Sequence, residues 1–353
     1  MNKNRKSLIK KLIIGAVIVL LLVAALWFGL RFFEDRFKAD EDQFGDHGDW
    51  GNGSQEEEEK VLLLDDTDYT YTDDVRTYLL IGTDNTGTAN PAEGRGEMAD
   101  FLMLFVVNQT NNSYGFIQLN RDIMMDVPGL DKYTGEEAGT AFEQICIAHW
   151  YGTTPEERNA NTVEAVSRLF GDMEINGYYT INMKDIGALN DAVGGVLVTI
   201  DEDLTSIDPE FKEGTEVLLN AKQAEAYVRA RMNVGKGTNE ERMARQLNYM
   251  KSAYSRVINQ LREEPNYINS LYDEMKDRIQ TDRNGEGLNE FAKYISSGEN
   301  KGFIQLDGEA KIGDTLGDGV EHAEFYLNEG SVARALKKLI NLKEETNEAT
   351  VED

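Results

Sequence analysis

The chain has 353 residues, of which 41% are hydrophobic, so it is long enough for one large domain or two small ones with a buried core. It is strongly acidic, with 64 Asp and Glu residues against 36 Lys and Arg residues and a formal net charge of −28 at pH 7. This charge argues against nucleic-acid binding, which requires a basic face. The single cysteine excludes a disulfide within the chain, and with only three histidines a thiolate metal centre is not expected.

The N-terminus has the pattern of a membrane anchor. Residues 1–11 contain five basic side chains, and residues 12–30 form an uncharged, mainly apolar run that ends at Arg31. At about 1.5 Å of helical rise per residue, this run roughly spans the ~30 Å hydrocarbon core of a bilayer. With the aromatic residues that follow, it predicts a transmembrane helix over residues 12–33, with residues 1–11 in the cytoplasm and the remainder outside. A cleaved signal peptide is the less favoured alternative.

An acidic extracellular linker is predicted over residues 34–75. Runs of Asp and Glu at residues 40–49, 56–59 and 65–74 surround several glycines, and such a composition buries too little apolar surface to fold alone. A cysteine-poor domain outside the membrane suits a Gram-positive cell surface, which is therefore the expected location.

Strands and helices interleave after this linker. Apolar runs at residues 78–82, 101–107 and 114–119 predict buried strands, and the polar residues 108–112 predict a tight antiparallel hairpin between the last two. Further helices are predicted over residues 140–151, 161–171, 183–193 and 222–228, and further strands over residues 178–181 and 196–200.

This order predicts an α/β fold class, with a mixed β-sheet in a three-layer α/β/α domain over residues 76–262. Residues 263–353 are predicted to be a C-terminal extension that packs on or completes the domain and ends in a polar tail. Cys146 and His149 lie in an apolar helical pattern, so packing in the core is their expected role.

The predicted hairpin brings charged residues to one edge of the sheet. Because the residue before one hairpin strand lies beside the residue after the other, Asp100 should lie next to Arg121 and Asp122. Asp84 follows the first strand and joins this edge if that strand runs parallel to the third. Two carboxylates in such a place suit a hard cation that keeps part of its water, such as Mg²⁺.

A second group of charges lies in residues 226–246. Arg229 and Arg231 are two apart, so in an extended segment they would point to the same face. A Gly-rich loop follows, and Thr238 or Asn239 can cap a new helix with a clear apolar stripe.

Arg242, Arg245 and Gln246 lie close together on this second helix, beside its apolar stripe. Guanidinium groups that meet a helix N-terminus suit a polyanion such as a diphosphate. The alternative is that these arginines are surface charges paired with neighbouring glutamates. The number of arginines in so acidic a chain favours the anion site.

Six segments resemble, in order, the motifs of the LytR–CpsA–Psr family. The resemblance covers roughly residues 76–262, and the family topology of a short cytoplasmic tail, one membrane span and an external domain matches the pattern above. The segments are LLIGTD (79–84), ADFLMLFVVN (99–108), LNRDIMMDVPG (119–129), GGVLVTIDED (194–203), LLNAKQAEAYVRAR (218–231) and GTNEERMARQ (237–246).

The resemblance implies a phosphotransferase at the outer face of the membrane. Such enzymes take a glycopolymer of the teichoic acid or capsule type from undecaprenyl diphosphate and attach it to peptidoglycan through a phosphodiester; a pyrophosphatase side activity is also expected. By motif position, Asp84 and Asp100 would hold Mg²⁺. The polyprenyl tail would lie in an apolar tunnel between the sheet and the helices at residues 140–170.

The diphosphate ligands implied in the same way are Arg121, Arg229, Arg231, Arg242 and Gln246, with Asp122 and Arg245 behind them. The chain departs from the family pattern at three positions: Thr86 and Met98 stand where arginines are common, and Asn120 stands where a proline is common. Arg95 could substitute for one of the missing arginines.

Two other functions compete with the ligase. A lipid-diphosphate-binding or scaffolding protein would keep the anion site and lose efficient catalysis, which fits the missing arginines. A transcription regulator is disfavoured by the outward topology and by the negative charge.

Overall fold

The computed structural model describes residues 59–84, 97–130, 137–152, 154–230, 237–264, 266–283, 285–317 and 319–345. The chain divides into two units, Met1–Glu56 and Glu57–Asp353, and all described residues belong to the second. Within these residues, none of the helices combines the length and the apolar character needed to cross a bilayer. The run at residues 12–30 lies outside them.

The described part contains fifteen strands and seven α-helices. The strands are β1 Lys60–Leu64, β2 Thr67–Tyr71, β3 Val75–Thr83, β4 Ala99–Asn108, β5 Ser113–Leu119, β6 Met124–Leu130, β7 Glu137–Gln144, β8 Gly177–Asn182, β9 Val196–Thr199, β10 Glu216–Leu219, β11 Ile279–Thr281, β12 Glu299–Gln305, β13 Gly308–Gly313, β14 His322–Leu327 and β15 Lys343–Glu344. The helices are α1 Pro155–Leu169, α2 Ile186–Ala192, α3 Ala221–Arg229, α4 Asn239–Glu263, α5 Tyr267–Met275, α6 Gly285–Ser297 and α7 Ser331–Leu336.

A six-stranded mixed sheet organises the domain, with the strand order β11–β8–β3–β4–β5–β12. Strands β4 and β5 form the predicted antiparallel hairpin, and β3 is also antiparallel to β4. Because β3 and β5 both oppose β4, they run parallel to each other, which was the condition for Asp84 to join the edge of Asp100. Strands β8 and β12 lie parallel to β3 and β5 respectively.

Alternating side chains of the central strands feed two separate cores. On one face, Leu102 and Leu104 of β4 pack with Val166 of α1 and with residues of α7. On the other face, Met103 and Phe105 pack with residues of α4, α5 and α6. The sheet therefore lies between two helical layers, which confirms the predicted three-layer arrangement. A third core joins β9 and β10 to α2, α3 and α4.

The predicted linker at residues 34–75 is wrong at its C-terminal end. Strands β1 and β2 form a hairpin whose Leu62 and Tyr69 are buried in the first core. Asp65 and Asp66 make its two-residue turn with left-handed backbone angles, φ 49° and 59°. The acidic run therefore contains a hairpin turn, and the alternating apolar residues on either side supply the buried face that a spacer lacks.

The predicted boundary at residue 262 does not separate two parts of the structure. Strands β11 and β12 form the two edges of the central sheet, and α7 packs against one of its faces, so the C-terminal region completes the domain. The first residues of the predicted polar tail form β15, which pairs with β2. Residues 346–353 lie outside the described residues.

The predicted helix at residues 140–151 is wrong in its first half. Residues 137–144 form β7, paired with β6, and only Ile145–Trp150 is helical, as a 3₁₀ turn. The next helix begins at the Thr154 cap, which forms a capping box with Glu157, so Asn161 is an internal residue of α1. That helix ends at Leu169, and Gly171, the last residue of the predicted helix, follows it with a left-handed φ of 68°.

Candidate functional site

The β4–β5 hairpin brings together the charged residues predicted for its edge. Asp100 is the second residue of β4, and Arg121 follows the end of β5. The Nη1 atom of Arg121 forms an ion pair with Oδ1 of Asp100, and its Nε donates to Oδ1 of Asp122 at 3.2 Å. The prediction that these three residues share one sheet edge is therefore confirmed.

A second arginine reaches Asp100 from helix α4. Thr238 caps this helix, since its Oγ1 accepts from the backbone N–H of Glu241 at 3.4 Å. Nη1 of Arg242, in the first turns of α4, lies 3.7 Å from Oδ2 of Asp100. The two oxygens of one buried carboxylate thus face two arginines from segments far apart in the sequence. Arg242 is only 5% exposed, so this is not a solvated surface charge.

Asp84, at the end of β3, pairs with the arginine that ends α3. Nη2 of Arg229 donates to both carboxylate oxygens of Asp84, at 2.9 and 3.3 Å, and its Nη1 donates to Glu225 at 2.7 Å. Burial lowers the pKa of the Arg229 guanidinium, but the two carboxylates outweigh this and leave it raised. Arg229 is helical, which corrects the predicted extended segment, and Arg231 lies outside the described residues.

Arg245 and Gln246 contact backbone at the end of α3. Nη2 of Arg245 donates to the carbonyl of Ala230 while Nη1 pairs with Glu202. Nε2 of Gln246 donates to the carbonyl of Val228 at 3.4 Å. A cation and an amide at a helix C-terminus satisfy carbonyls that the helix leaves unpaired. Both side chains hold the segment that contains Arg229; contact of Gln246 with a diphosphate stays a prediction.

Two sulfur atoms complete the surroundings of Arg121. Its Nη2 lies 3.2 Å from Sδ of Met98, so residues 98 and 100, which are two apart, point to the same side of the chain. Cys146 is buried beside Arg121, and its backbone N–H donates to the carbonyl of Arg121 at 3.2 Å. Burial raises the pKa of Cys146, although Arg121 opposes this, so the thiol stays neutral. The sequence placed Cys146 in the core but gave no sign of its contact with Arg121.

His149 is buried one 3₁₀ turn after Cys146. Its Nδ1 lies 2.9 Å from the hydroxyl of Thr162, and its Nε2 lies 3.9 Å from Glu97. Burial, and to a lesser extent the nearby Arg158, lower the pKa of His149 to about 4, so the ring is neutral at pH 7. These contacts agree with the predicted place of His149 in the core.

Asp84 and Asp100 fit a hard cation only if other groups complete its coordination. Among the described residues, no group of three or more His, Cys, Asp and Glu side chains forms a metal cage. Mg²⁺ does not need one, because it keeps several waters and binds through one or two carboxylates together with substrate phosphates. The oxygen donors of Asp84 and Asp100 fit that description. Thr86, one of the departures from the family pattern, lies outside the described residues. Arg95, the predicted substitute for a missing arginine, also lies outside them.

Comparisons with known proteins agree with this geometry. The family model described as LytR_cpsA_psr matches residues 47–339. A Bacillus cereus protein named polyisoprenyl-teichoic acid–peptidoglycan teichoic acid transferase TagU is 31% identical over 159 residues, which cover 45% of each chain. An Enterococcus faecalis protein of the same name is 26% identical over 267 residues, 75% of this chain and 80% of that protein. The match to the Bacillus cereus protein thus spans less than half of that protein's length.

Solved structures show the same fold. The structure titled "TagT bound to LI-WTA" has a TM-score of 0.55 at 20% identity and covers 76% of this chain and 90% of its own. The protein gbs0355 of Streptococcus agalactiae has a TM-score of 0.58 at 22% identity, over 75% and 88% of the two chains. At these identities the likeness concerns the fold, and it agrees with the mixed sheet and its helical layers.

Proposed function

The chain belongs to the LytR–CpsA–Psr family, and we propose that it is a membrane-anchored phosphotransferase that attaches a glycopolymer to peptidoglycan. The observation that supports this most is the meeting of Arg121 and Arg242 at Asp100, because it concentrates desolvated positive charge on a very acidic chain. The transferase names of the relatives point the same way.

The arginines would bind the diphosphate of a polyprenyl-linked glycopolymer. Arg121, Arg242 and Arg229 each have a carboxylate partner in the structure, and a diphosphate offers the same acceptor geometry with more charge. Arg231 and Gln246 are proposed to join them. The N-terminus of α4 adds backbone dipoles that favour an anion nearby.

In the proposed reaction, a sugar hydroxyl of peptidoglycan attacks the phosphorus that bears the glycopolymer. A new phosphorus–oxygen bond forms, the diphosphate bridge breaks, and undecaprenyl phosphate leaves with the bridging oxygen. The hydroxyl proton passes to a carboxylate of the site. Arginines held beside the phosphates stabilise the charge that develops and keep the reacting atoms in line. No protein side chain needs to form a covalent bond.

Asp84 and Asp100 are the residues proposed to hold Mg²⁺, through oxygen atoms that now face arginines. When bound, the ion would neutralise phosphate charge. Exchange of partners follows from charge balance: as a phosphate approaches Arg229, Asp84 would be released from it and would turn to the ion. Asp100 would keep Arg121 and Arg242 beside it while it offers an oxygen to the ion, so each charged group keeps an opposite charge nearby.

The substrate implies a place at the membrane. We propose that residues 12–33 span it, that residues 1–11 are cytoplasmic, and that the folded domain faces outward on a Gram-positive cell, where undecaprenyl carriers and peptidoglycan meet. The lipid tail is proposed to lie beside the sheet, near residues 140–170. Protease added to wall-stripped cells should degrade the domain and spare the N-terminal tail; a protected C-terminus would contradict both topology and function.

The deciding experiment measures release of undecaprenyl phosphate from an undecaprenyl diphosphate–glycan, with peptidoglycan as acceptor. The full chain in lipid vesicles should release it only with Mg²⁺, and Arg242→Ala should lower the rate at least tenfold. Arg262→Ala is the matched control, because Arg262 lies on the same helix and is exposed. Binding of the lipid without release would support the diphosphate-binding or scaffolding alternative. Absence of both would contradict the proposal.

A further inference from the structure

Two buried asparagines connect the strand end that contains Arg121 to the helix that contains Arg242. Asn120 directly follows β5 and is 6% exposed, and Asn239 is the first residue of α4 and is 4% exposed. Nδ2 of Asn239 donates to Oδ1 of Asn120 at 2.8 Å. The two segments are thus joined by one direct amide–amide hydrogen bond.

Each end of this asparagine bridge also contacts a charged residue of the site. Nη2 of Arg242 donates to Oδ1 of Asn239 at 2.8 Å. The backbone N–H of Asp122 donates to Oδ1 of Asn120 at 2.9 Å, which fixes the turn on which Arg121 lies. A continuous chain of hydrogen bonds therefore runs from the guanidinium of Arg242 to the backbone around Arg121.

This series of hydrogen bonds requires an amide side chain at position 239. Asn239 donates with its nitrogen and accepts with its oxygen at the same time, which neither a carboxylate nor a hydrocarbon side chain can do. Because both residues are buried, water does not easily replace a lost partner. The bridge therefore fixes the distance between two arginines that are far apart in sequence.

We infer that Asn120 and Asn239 are positioning residues that set the spacing of Arg121 and Arg242 for the two phosphates of a diphosphate. This rests on the proposed function, since it assigns these arginines to that ligand. Neither asparagine needs to touch the ligand. Fixing the arginines beforehand lowers the entropy lost when a diphosphate is bound.

The experiment uses the full chain and inorganic diphosphate with Mg²⁺ as the probe, measured by calorimetry, together with undecaprenyl phosphate release. Asn120→Ala and Asn239→Ala should each weaken diphosphate binding about fivefold to tenfold and lower kcat. The double variant should lose less affinity than the sum of the two single losses, because both variants remove the same bridge and differ only in one further hydrogen bond each. Asn239→Asp should behave like Asn239→Ala, although it keeps an acceptor for Arg242.

Asn248→Ala is the matched control. Asn248 lies on the same helix, and its amide donates to the carbonyl of Thr199 at 2.8 Å, to Asp201 at 3.3 Å and to the hydroxyl of Tyr227 at 2.9 Å, outside the asparagine bridge, so its loss should lower Tm but leave the diphosphate affinity unchanged. Additive effects in the double variant, or an unchanged affinity and kcat in Asn239→Ala, would overturn the bridge.

One readout does not depend on the proposed function. Crystal structures of the wild type and Asn239→Ala should show the Arg242 guanidinium moved away from Asp100 in the variant. If the wild type binds no diphosphate, the proposed function fails. The two structures still show whether the asparagine bridge positions Arg242. An unchanged position of Arg242 would overturn it.

Discussion

The site contains two groups of ion pairs that differ in their contact with water. In the buried cluster of Asp100, Arg121 and Arg242, the side chains are 8%, 15% and 6% exposed. In the open pair of Arg229 and Asp84, they are 34% and 27% exposed. Charges in the buried cluster have lost most of their hydration and depend on one another, whereas the open pair keeps water as an alternative partner.

This difference suggests a division of work within the proposed site. Asp122, the sulfur atom of Met98 and the asparagine bridge hold the buried cluster in place, so it can act as a fixed frame for a diphosphate. The open pair can change partners at little cost in free energy, because solvent already shares its charge. Fixed donors favour catalysis, and exchangeable donors favour entry and release of a ligand.

The largest expected effect comes from removing the shared carboxylate of the buried cluster. Asp100→Asn leaves the charges of Arg121 and Arg242 buried without their common anion, so the free energy of unfolding should fall by about 3–5 kcal/mol. Urea denaturation of the wild type and of the variant measures this loss. Asp84→Asn is the control, and equal losses in both variants would show that the two groups do not differ.

A change of pH should weaken the region beside the buried cluster without a mutation. Since the pKa of His149 is lowered to about 4 in the folded protein, only the unfolded chain takes up this proton between pH 6.5 and pH 4. The contribution to stability is complete above pH 6.5 and falls by about 3 kcal/mol as the pH drops to 4. Unfolding of the wild type and of His149→Gln, compared across this range, isolates it; parallel pH profiles would contradict the expectation.

The open pair should matter more for binding than for stability. Arg229→Ala should weaken the binding of a soluble prenyl diphosphate about tenfold to a hundredfold, because a charge-assisted contact is lost. Its Tm should change little, because both partners are partly solvated. Calorimetry gives the affinity, with Arg262→Ala as control. A large loss of Tm with unchanged affinity would reverse the roles assigned to the two groups.

The smallest effect on stability is expected for Asp84→Asn. Arg229 keeps Glu225 as a partner, so the free energy of unfolding should change by less than about 1 kcal/mol. Stabilisation by Mg²⁺ plus a prenyl diphosphate should nevertheless disappear, because a neutral amide is a poor ligand for Mg²⁺. Thermal unfolding with and without both ligands tests this. A mutant stabilised as strongly as the wild type would remove Asp84 from the metal site.

Local patterns were enough to predict the central hairpin. The apolar runs and the polar turn of residues 108–112 determine the register of β4 and β5, and the register places Asp100 beside Arg121. Helix α4 was equally clear, because a capping threonine and a long apolar stripe both mark it. Both features depend on interactions between residues that are close in the sequence, so the local sequence is enough to predict them.

Other parts depended on contacts between distant segments. The predicted linker included residues 60–71, whose hairpin is held in the domain by the pairing of β15 with β2 and by the core around Leu62. The apolar residues of the segment 140–151 have helical spacing, yet Gly139 has a left-handed φ of 96° and pairing with β6 makes residues 137–144 a strand. Local propensity is a weak term, and burial in a shared core outweighs it.

The sequence by itself determined which charged residues meet at the edge of the sheet, because turn length and side-chain alternation act locally. Only the tertiary structure decided which carboxylate pairs with which arginine and how deeply each pair is buried. Helix α4 docks on the sheet through its apolar stripe, and that docking brings Arg242 to Asp100 while it turns Gln246 toward the backbone of α3. Burial depends on every element that packs nearby, so no single stretch of sequence could indicate it.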